Sequence, residues 1–169
     1  MTLQATSNTI QVLHFLVQKI HLCIPLPYII KAFPLMELKQ IPETPHYCAG
    51  LMNISGRSIP VIDLAIRLHL KRKDKYTLST PIILCKDTAH EMGIIIDEIL
   101  GITQIDHDHL QLKNDFNEKN LFFKGVINID SHLTLVLDMP HILSNYFSSD
   151  IKNPSFDINA LNLTGFRYE

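Results

Sequence analysis

Apolar residues along the chain come in short runs broken by turn-forming residues, the spacing of strands rather than of long helices. VLHFLVQKIHLCIPL (12–26) predicts two strands around a turn at Gln18-Lys19, with Leu22, Ile24 and Leu26 on one face and Cys23 and Pro25 on the other. YIIKAFPLMEL fits a short helix or a bent strand, and Pro34 limits the helix. In QIPETPHYCAG, Thr44-Pro45 is placed to cap one helical turn ending at Gly50. LMNI and SIPVID then form a hairpin around Ser55-Gly56. Pro60 has no amide donor, so its strand lies at an edge or its nitrogen faces no partner. Asp63 caps a short helix, LAIRLHL, and KRKDKYTLST follows as a charged connector.

The second half follows the same plan. PIILCKD and HEMGIIIDEIL pair around a turn at 87–90, GITQI continues as a strand, and DHDHLQLKNDFNEKN is a polar, irregular excursion. LFFKGVINID and HLTLVLD form a second hairpin, and Asp138 caps MPHILSNYF. Set against residues 50–68 at an offset of 75, residues 125–143 repeat Gly50/Gly125, Asn53/Asn128, Ile54/Ile129, Val61/Val136, Asp63/Asp138 and Leu68/Leu143. Six identities in nineteen positions carry little weight alone. The order of elements also repeats (strand pair, polar excursion, glycine-led hairpin, Asp-capped helix), which points to an internal duplication. Two similar small β-subdomains, barrels or sandwiches, are the expected outcome.

Composition narrows the function classes. With 46% hydrophobic and 19% charged residues, the chain of 169 residues has the profile of a folded domain with a real core. A net charge of -2 and no basic cluster larger than KRKDK argue against nucleic acid as a partner. No apolar run approaches the ~20 residues of a membrane span, and MTLQATSNTIQ has neither part of a secretory leader. Cys23, Cys48 and Cys85 sit in apolar contexts without metal spacing, as expected of buried thiols in the cytoplasm.

NISGRSIPVIDLAIRL resembles the N-L-R-G-x-x-I-P-V-I-D-L-R-x-x-L segment of CheW-like domains. MGIIIDEILGITQI and FFKGVINIDSHLTLVLDMPHIL are similar to two later blocks of that family, in the same order and at the same spacing. The resemblance implies an all-β fold with a few short helices: two SH3-like five-stranded barrels sharing an apolar seam. It places a flexible N-terminus at 1–10, the CheW-like domain at 11–146 with interleaved subdomains at about 11–75 and 76–146, and a C-terminal extension at 147–169.

The implied function is non-enzymatic. It is that of an adaptor between a methyl-accepting chemoreceptor's cytoplasmic tip and the regulatory domain of a CheA-type histidine kinase, with other CheW-like proteins as further partners. No cofactor and no membrane insertion are implied, and the system served is flagellar chemotaxis or type IV pilus (twitching) motility. An assembly module that binds kinase or itself without engaging receptors is the alternative. Carried over by position, the protein-binding groove lies beside the first hairpin, at Ile29, Lys31, Gly50, Asn53, Ser55, Gly56 and Arg57. Three positions depart from the family: Ser55 and Ala65 stand where arginines are usual, and Lys31 where a glutamate is. Either Arg57 supplies the missing charge, the receptor differs, or receptor coupling is weakened.

Other chemistry is weaker. Asp106-His107-Asp108-His109 has ligand types, but adjacent residues rarely converge on one ion, so a solvated loop is expected and a metal-dependent enzyme ranks far below. His46, Ser55 and Asp63 lack the context of a hydrolytic triad. His21 and Cys23 share a strand face and read as core or seam, and Leu121-Phe122-Phe123-Lys124 as a buried strand. Phe156, Ile158, Leu161, Leu163 and Phe166 make the extension too apolar for a free tail, so it is expected to pack on a barrel or to reach a partner as an added strand.

Overall fold

The computed structural model describes residues 8–112 and 122–144, so the expectations for residues 1–7, for the polar excursion from 113, for Leu121 and for the C-terminal extension fall outside the described residues. Thr9 and Ile10, expected in a flexible N-terminus, already belong to the first strand. The strands are β1 (Thr9–Val17), β2 (Ile20–Pro25), β3 (Ile29–Pro34), β4 (Cys48–Ile54), β5 (Arg57–Asp63), β6 (Pro81–Lys86), β7 (Glu91–Ile95), β8 (Glu98–Asp106), β9 (Gln111–Leu112), β10 (Phe123–Ile129) and β11 (His132–Leu137). Two short helices, α1 (Leu64–Arg67) and α2 (Met139–Ser144), follow β5 and β11. Among the described residues no helix is long and apolar enough to cross a membrane.

One sheet has six strands in the order β8-β1-β2-β11-β10-β9, the other five in the order β3-β6-β7-β5-β4. The five-stranded barrels expected from the resemblance are thus realised as open ladders, one gaining the two-residue β9. Each sheet draws strands from both halves of the chain, so a division near residue 75 does not separate the sheets. The two parallel joins explain this: β5 pairs with β7 at Val61↔Gly93 to Asp63↔Ile95, and β11 pairs with β2 at Leu135↔Leu22 and Val136↔Cys23.

The strands carry apolar runs rather than alternation because many are buried on both faces. In β6, Ile83 and Cys85 face a central cluster and Ile82 and Leu84 face the five-stranded sheet's own core. In β2, Leu22 and Ile24 face the central cluster while Cys23 faces the six-stranded sheet's core with Val12, Ile127 and Val136. Leu64 and Leu68 after β5, and Met139 and Leu143 after β11, fill the central layer, which is the apolar seam between the sheets.

The hairpins form as predicted. Gln18 and Lys19 (φ 47 and 68) turn β1 into β2, and Ser55 and Gly56 (φ 51 and 80) turn β4 into β5. Asp63 accepts from the amide of Ile66 and Asp138 from that of His141, so both caps are in place. Phe122 and Phe123 are buried. Pro60 lies in a central strand, where its partner Leu51 directs its own N–H and C=O to Lys39. Pairing of β5 with β7 begins one residue later, so the missing donor interrupts neither ladder. Of the two alternatives for the segment after Pro27, the strand is realised: a 3-10 turn at Leu26–Tyr28 leads into β3, whose pairing with β6 shifts register after Ile29. One expectation needs correction: no helical turn precedes Gly50, where Cys48 closes a simple turn onto the carbonyl of Pro45. Two prolines within four residues leave that segment without a continuous run of amide donors.

The duplication reaches the backbone. Both hairpins carry a register shift just before their leading glycine, and both glycines pair with the equivalent valine, Gly50↔Val61 and Gly125↔Val136. At both glycines a third segment crosses closely: a Cβ at Gly50 would meet the carbonyl oxygen of Lys39 at 2.7 Å, and one at Gly125 that of Gln111 at 2.4 Å. Gly56 meets nothing within 4 Å and answers only to its positive φ. In urea titrations, Gly50→Ala and Gly125→Ala are therefore expected to lose at least about 2 kcal/mol, against about 1 kcal/mol for Gly56→Ala, which pays strain alone.

Candidate protein-binding site

The seven residues expected at the groove fall into two groups. Asn53, Ser55, Gly56 and Arg57 form the tip of the β4–β5 hairpin, where Asn53 Oδ1 accepts from the amide of Gly56 at 3.0 Å and Arg57 pairs with Glu91 at the surface. Gly50 lies further back at the bulge under Lys39. Ile29 and Lys31 lie in β3, at the other end of the hydrogen-bonded order of the same sheet. Among the described residues no hydrogen bond or ion pair joins the two groups. Ile29 packs half-buried against the central cluster, and Lys31 is exposed with its ammonium 5.4 Å from the Phe33 ring.

A groove lined by β3 opens elsewhere than beside the hairpin. Ala32, Phe33 and Pro34 form one wall, and Leu78, Ser79, Pro81 and Ile99 the rest. It lies between an edge strand of each sheet, β3 and β8. Leu78 is 89% exposed, and Ile30, Leu100 and Ile102 on the same two strands are exposed as well. Apolar side chains left in water along two unpaired strand edges make this groove a candidate protein-binding surface. Sequence reading missed the Leu78 and Ile99 walls because each sits in a stretch that reads as connector or ordinary strand.

The connector also holds an unforeseen polar centre. Asp63, 1% exposed, receives a two-pronged contact from Arg72 (Nε to Oδ2 2.5 Å, Nη2 to Oδ1 2.9 Å) and the hydroxyl of Tyr76. Arg72 Nη1 also donates to Asp97 at 3.0 Å. Asp97 in turn accepts from the backbone amide and side chain of Gln18, at 2.5 and 3.0 Å. Burial opposes the charge on Arg72, but hydrogen bonds and the charges of Asp63 and Asp97 overcome it and raise its pKa. Burial, aided by Asp63, also raises the pKa of Tyr76. These shifts belong to groups locked to one another, so they mark a structural clamp rather than a catalytic acid or base.

A second buried cation, Arg67, lies between the rings of Tyr47 and Phe122 at 4.4 and 4.5 Å. Its Nη2 has no hydrogen-bond partner among the described residues. Cys23 and Cys85 are free and buried, and burial pushes the Cys23 thiol up to about 12, far from a reactive thiolate. Asp106 caps a 3-10 turn at His107–His109, with its carboxylate on the amide of Asp108. His46, Ser55 and Asp63 do not meet: Asp63 is engaged by Arg72 and Tyr76, and Ser55 is at the hairpin tip.

Residues 11–147 match the family model of the CheW-like domain. The chain is 29% identical over 107 residues to the chemotaxis protein CheW of Thermotoga maritima, covering 63% of this chain and 70% of that one. To the chemotaxis protein CheW of Helicobacter pylori it is 25% identical over 143 residues, covering 83% and 85%. The crystal structure of the scaffolding protein TtCheW from Thermoanaerobacter tengcongensis superposes with a TM-score of 0.74 at 21% identity, covering 85% of this chain and 96% of that one. At that identity the likeness speaks for the fold.

Arg72→Ala leaves the buried Asp63 carboxylate without its cation and is expected to lower unfolding stability by about 3–5 kcal/mol. Arg57→Ala breaks an exposed pair and is expected to lose under about 1 kcal/mol. Urea titrations of the two variants against the parent chain check the contrast.

Proposed function

Because the chain belongs to the CheW-like domain family, we propose that it is a non-enzymatic adaptor coupling the cytoplasmic tip of a chemoreceptor to the regulatory domain of a CheA-type histidine kinase. The observation that carries this reading is the doubled architecture. One bulged hairpin with an Asp-capped helix occurs in each sheet, so a single small chain presents two comparable ends to two partners. The apolar groove between β3 and β8 is a third surface, suited to the apolar face of a receptor's helical hairpin. The adaptor works in the cytoplasm, held at membrane arrays by its partners.

In this reading Lys31 and Ser55 reset the charge of the receptor contact. A lysine on β3, exposed beside the groove, selects a receptor with an acidic side chain opposite it. Lys31→Glu is then expected to weaken binding of the chain's own receptor tip rather than to strengthen it.

Calorimetric titration with the kinase regulatory domain and then with a receptor-tip fragment tests the proposal. Micromolar or tighter binding of the kinase domain is expected. Leu78→Asp, a change at a side chain with little to lose in the fold, is expected to weaken receptor-tip binding at least about tenfold. The same variant leaves kinase binding and the melting temperature unchanged. Absence of kinase binding overturns the coupling role and leaves the self-assembling module, which sedimentation would register as oligomers of the chain alone.

A further inference from the structure

Three histidines from distant parts of the sequence meet on one face of the six-stranded sheet. His14 of β1 is 4% exposed, with its Nε2 2.8 Å from Nδ1 of His21 in β2. The ring of His21 stacks on that of His132 in β11, with centroids 4.2 Å apart and planes inclined by 17°. Exposure rises along the series, from buried His14 through half-buried His21 to exposed His132. The three sit beside a narrow join in the sheet, where β2 and β11 pair only at Leu22↔Leu135 and Cys23↔Val136.

We infer that His14, His21 and His132 form a proton-sensitive latch that holds the first hairpin against the last when neutral and loosens the β2–β11 join when protonated. The His14–His21 contact requires one nitrogen to carry a proton and the other to lack it. Two imidazolium rings would set N–H against N–H and place a second positive charge beside a buried one. The stacked, exposed His132 gives solvent protons a way in without opening the core.

The charges on the surrounding elements fit this reading. On β8, the residue opposite His14 is Gly101, which brings no side chain, and the nearest ionisable residue on that strand is Glu98, opposite Leu16. Lys19 lies in the β1–β2 turn and Asp130 in the β10–β11 turn. Burial lowers the pKa of His14, opposed by Asp130 and reinforced by His132. Burial also lowers that of His21, reinforced by His132 and His14. A histidine pKa depressed by folding means that the unfolded chain binds more protons. The stabilisation is therefore complete above the ordinary value of 6.5 and is lost as pH falls below it.

The test is urea unfolding of the full chain between about pH 7.5 and 5.5, above the carboxylate range, with His14→Gln as the comparison, since glutamine keeps a donor and an acceptor but cannot titrate. Each histidine held neutral makes the unfolding constant rise by up to about tenfold per pH unit below its ordinary pKa, so the variant's slope is expected to be shallower by up to that factor. Parallel slopes would overturn the latch. Should the variant not fold, NMR titration of the imidazoles and amide exchange decide on the unmodified chain. Midpoints for His14 and His21 below the ordinary value, with protection at Leu22, Cys23, Leu135 and Val136 falling on acidification while β6 and β7 keep theirs, support the latch. Ordinary midpoints, or a uniform loss of protection, refute it.

Discussion

The buried pairing of Asp63 with Arg72 is the constraint on which the rest of the arrangement depends. Asp63 ends β5, caps α1 and sits at the parallel join of β5 to β7 through its partner Ile95. A carboxylate there is almost fully out of water, which is tolerable only with a matched cation and filled hydrogen-bond sites. Arg72 supplies the cation, and its third contact reaches Asp97 after β7, whose other oxygen holds the β1–β2 turn through Gln18. One guanidinium thus ties together the end of the first bulged hairpin, the strand it joins in parallel, and the turn of the other sheet's first hairpin. The counterpart Asp138 caps α2 and accepts from the amide of His141, with no arginine pair among the described residues. The duplicated parts therefore share a backbone plan but differ in how they are fastened.

That plan explains why the sheets ignore the boundary between the repeats. Each glycine-led hairpin leaves one edge of its second strand free, and each fills it with a strand of the opposite half: β7 for β5, and β2 for β11. The exchange places the helix-cap segments of both repeats in one central cluster with Phe15, Leu22, Ile83 and Ile94, so neither sheet can be removed without exposing the other. Close packing of that layer leaves the two sheets little freedom to slide. The ladders with the fewest paired residues are β2 with β11 and β9 with β10, beside the single bridge of Lys39 to Leu51.

Local features of this fold were legible in the sequence, and long-range ones were not. Ser55-Gly56, Gln18-Lys19, Asp63 and Asp138 announce turns and caps because their chemistry acts on neighbours within four residues. The repeat of Gly50 and Gly125 was visible as spacing, although its cause, a carbonyl crossing under each glycine, needed the fold. Residues 28–38 left helix and strand both open, and the helical turn expected before Gly50 does not form, because prolines exclude structures without choosing one. Arg72 and Tyr76 read as solvated connector, since a charge run carries no mark of which member turns inward. The resemblance groups Ile29 and Lys31 with the first hairpin because a family pattern is a list of positions. The structure puts Ile29 and Lys31 on the opposite edge strand, where Leu78 and Ile99 complete an apolar wall.

An adaptor needs surfaces that stay fixed relative to one another, because a partner's state can be passed on only through a body that does not absorb the displacement. The fold meets that requirement in part by fastening itself with a few buried or half-buried polar groups. Asp63, Arg72, Asp97 and Tyr76 hold one another, Arg67 is stacked between Tyr47 and Phe122, and Cys23 and Cys85 are buried thiols held in their neutral form. Outside, exposed charges such as Lys31 and Arg57 stand beside two bulged hairpins and the apolar β3–β8 groove. Surfaces of that kind recognise by fit and by a few rim charges, and exposed positions such as Lys31 and Ser55 can change without disturbing the frame. Frame and rim are thereby separate parts of one duplicated plan.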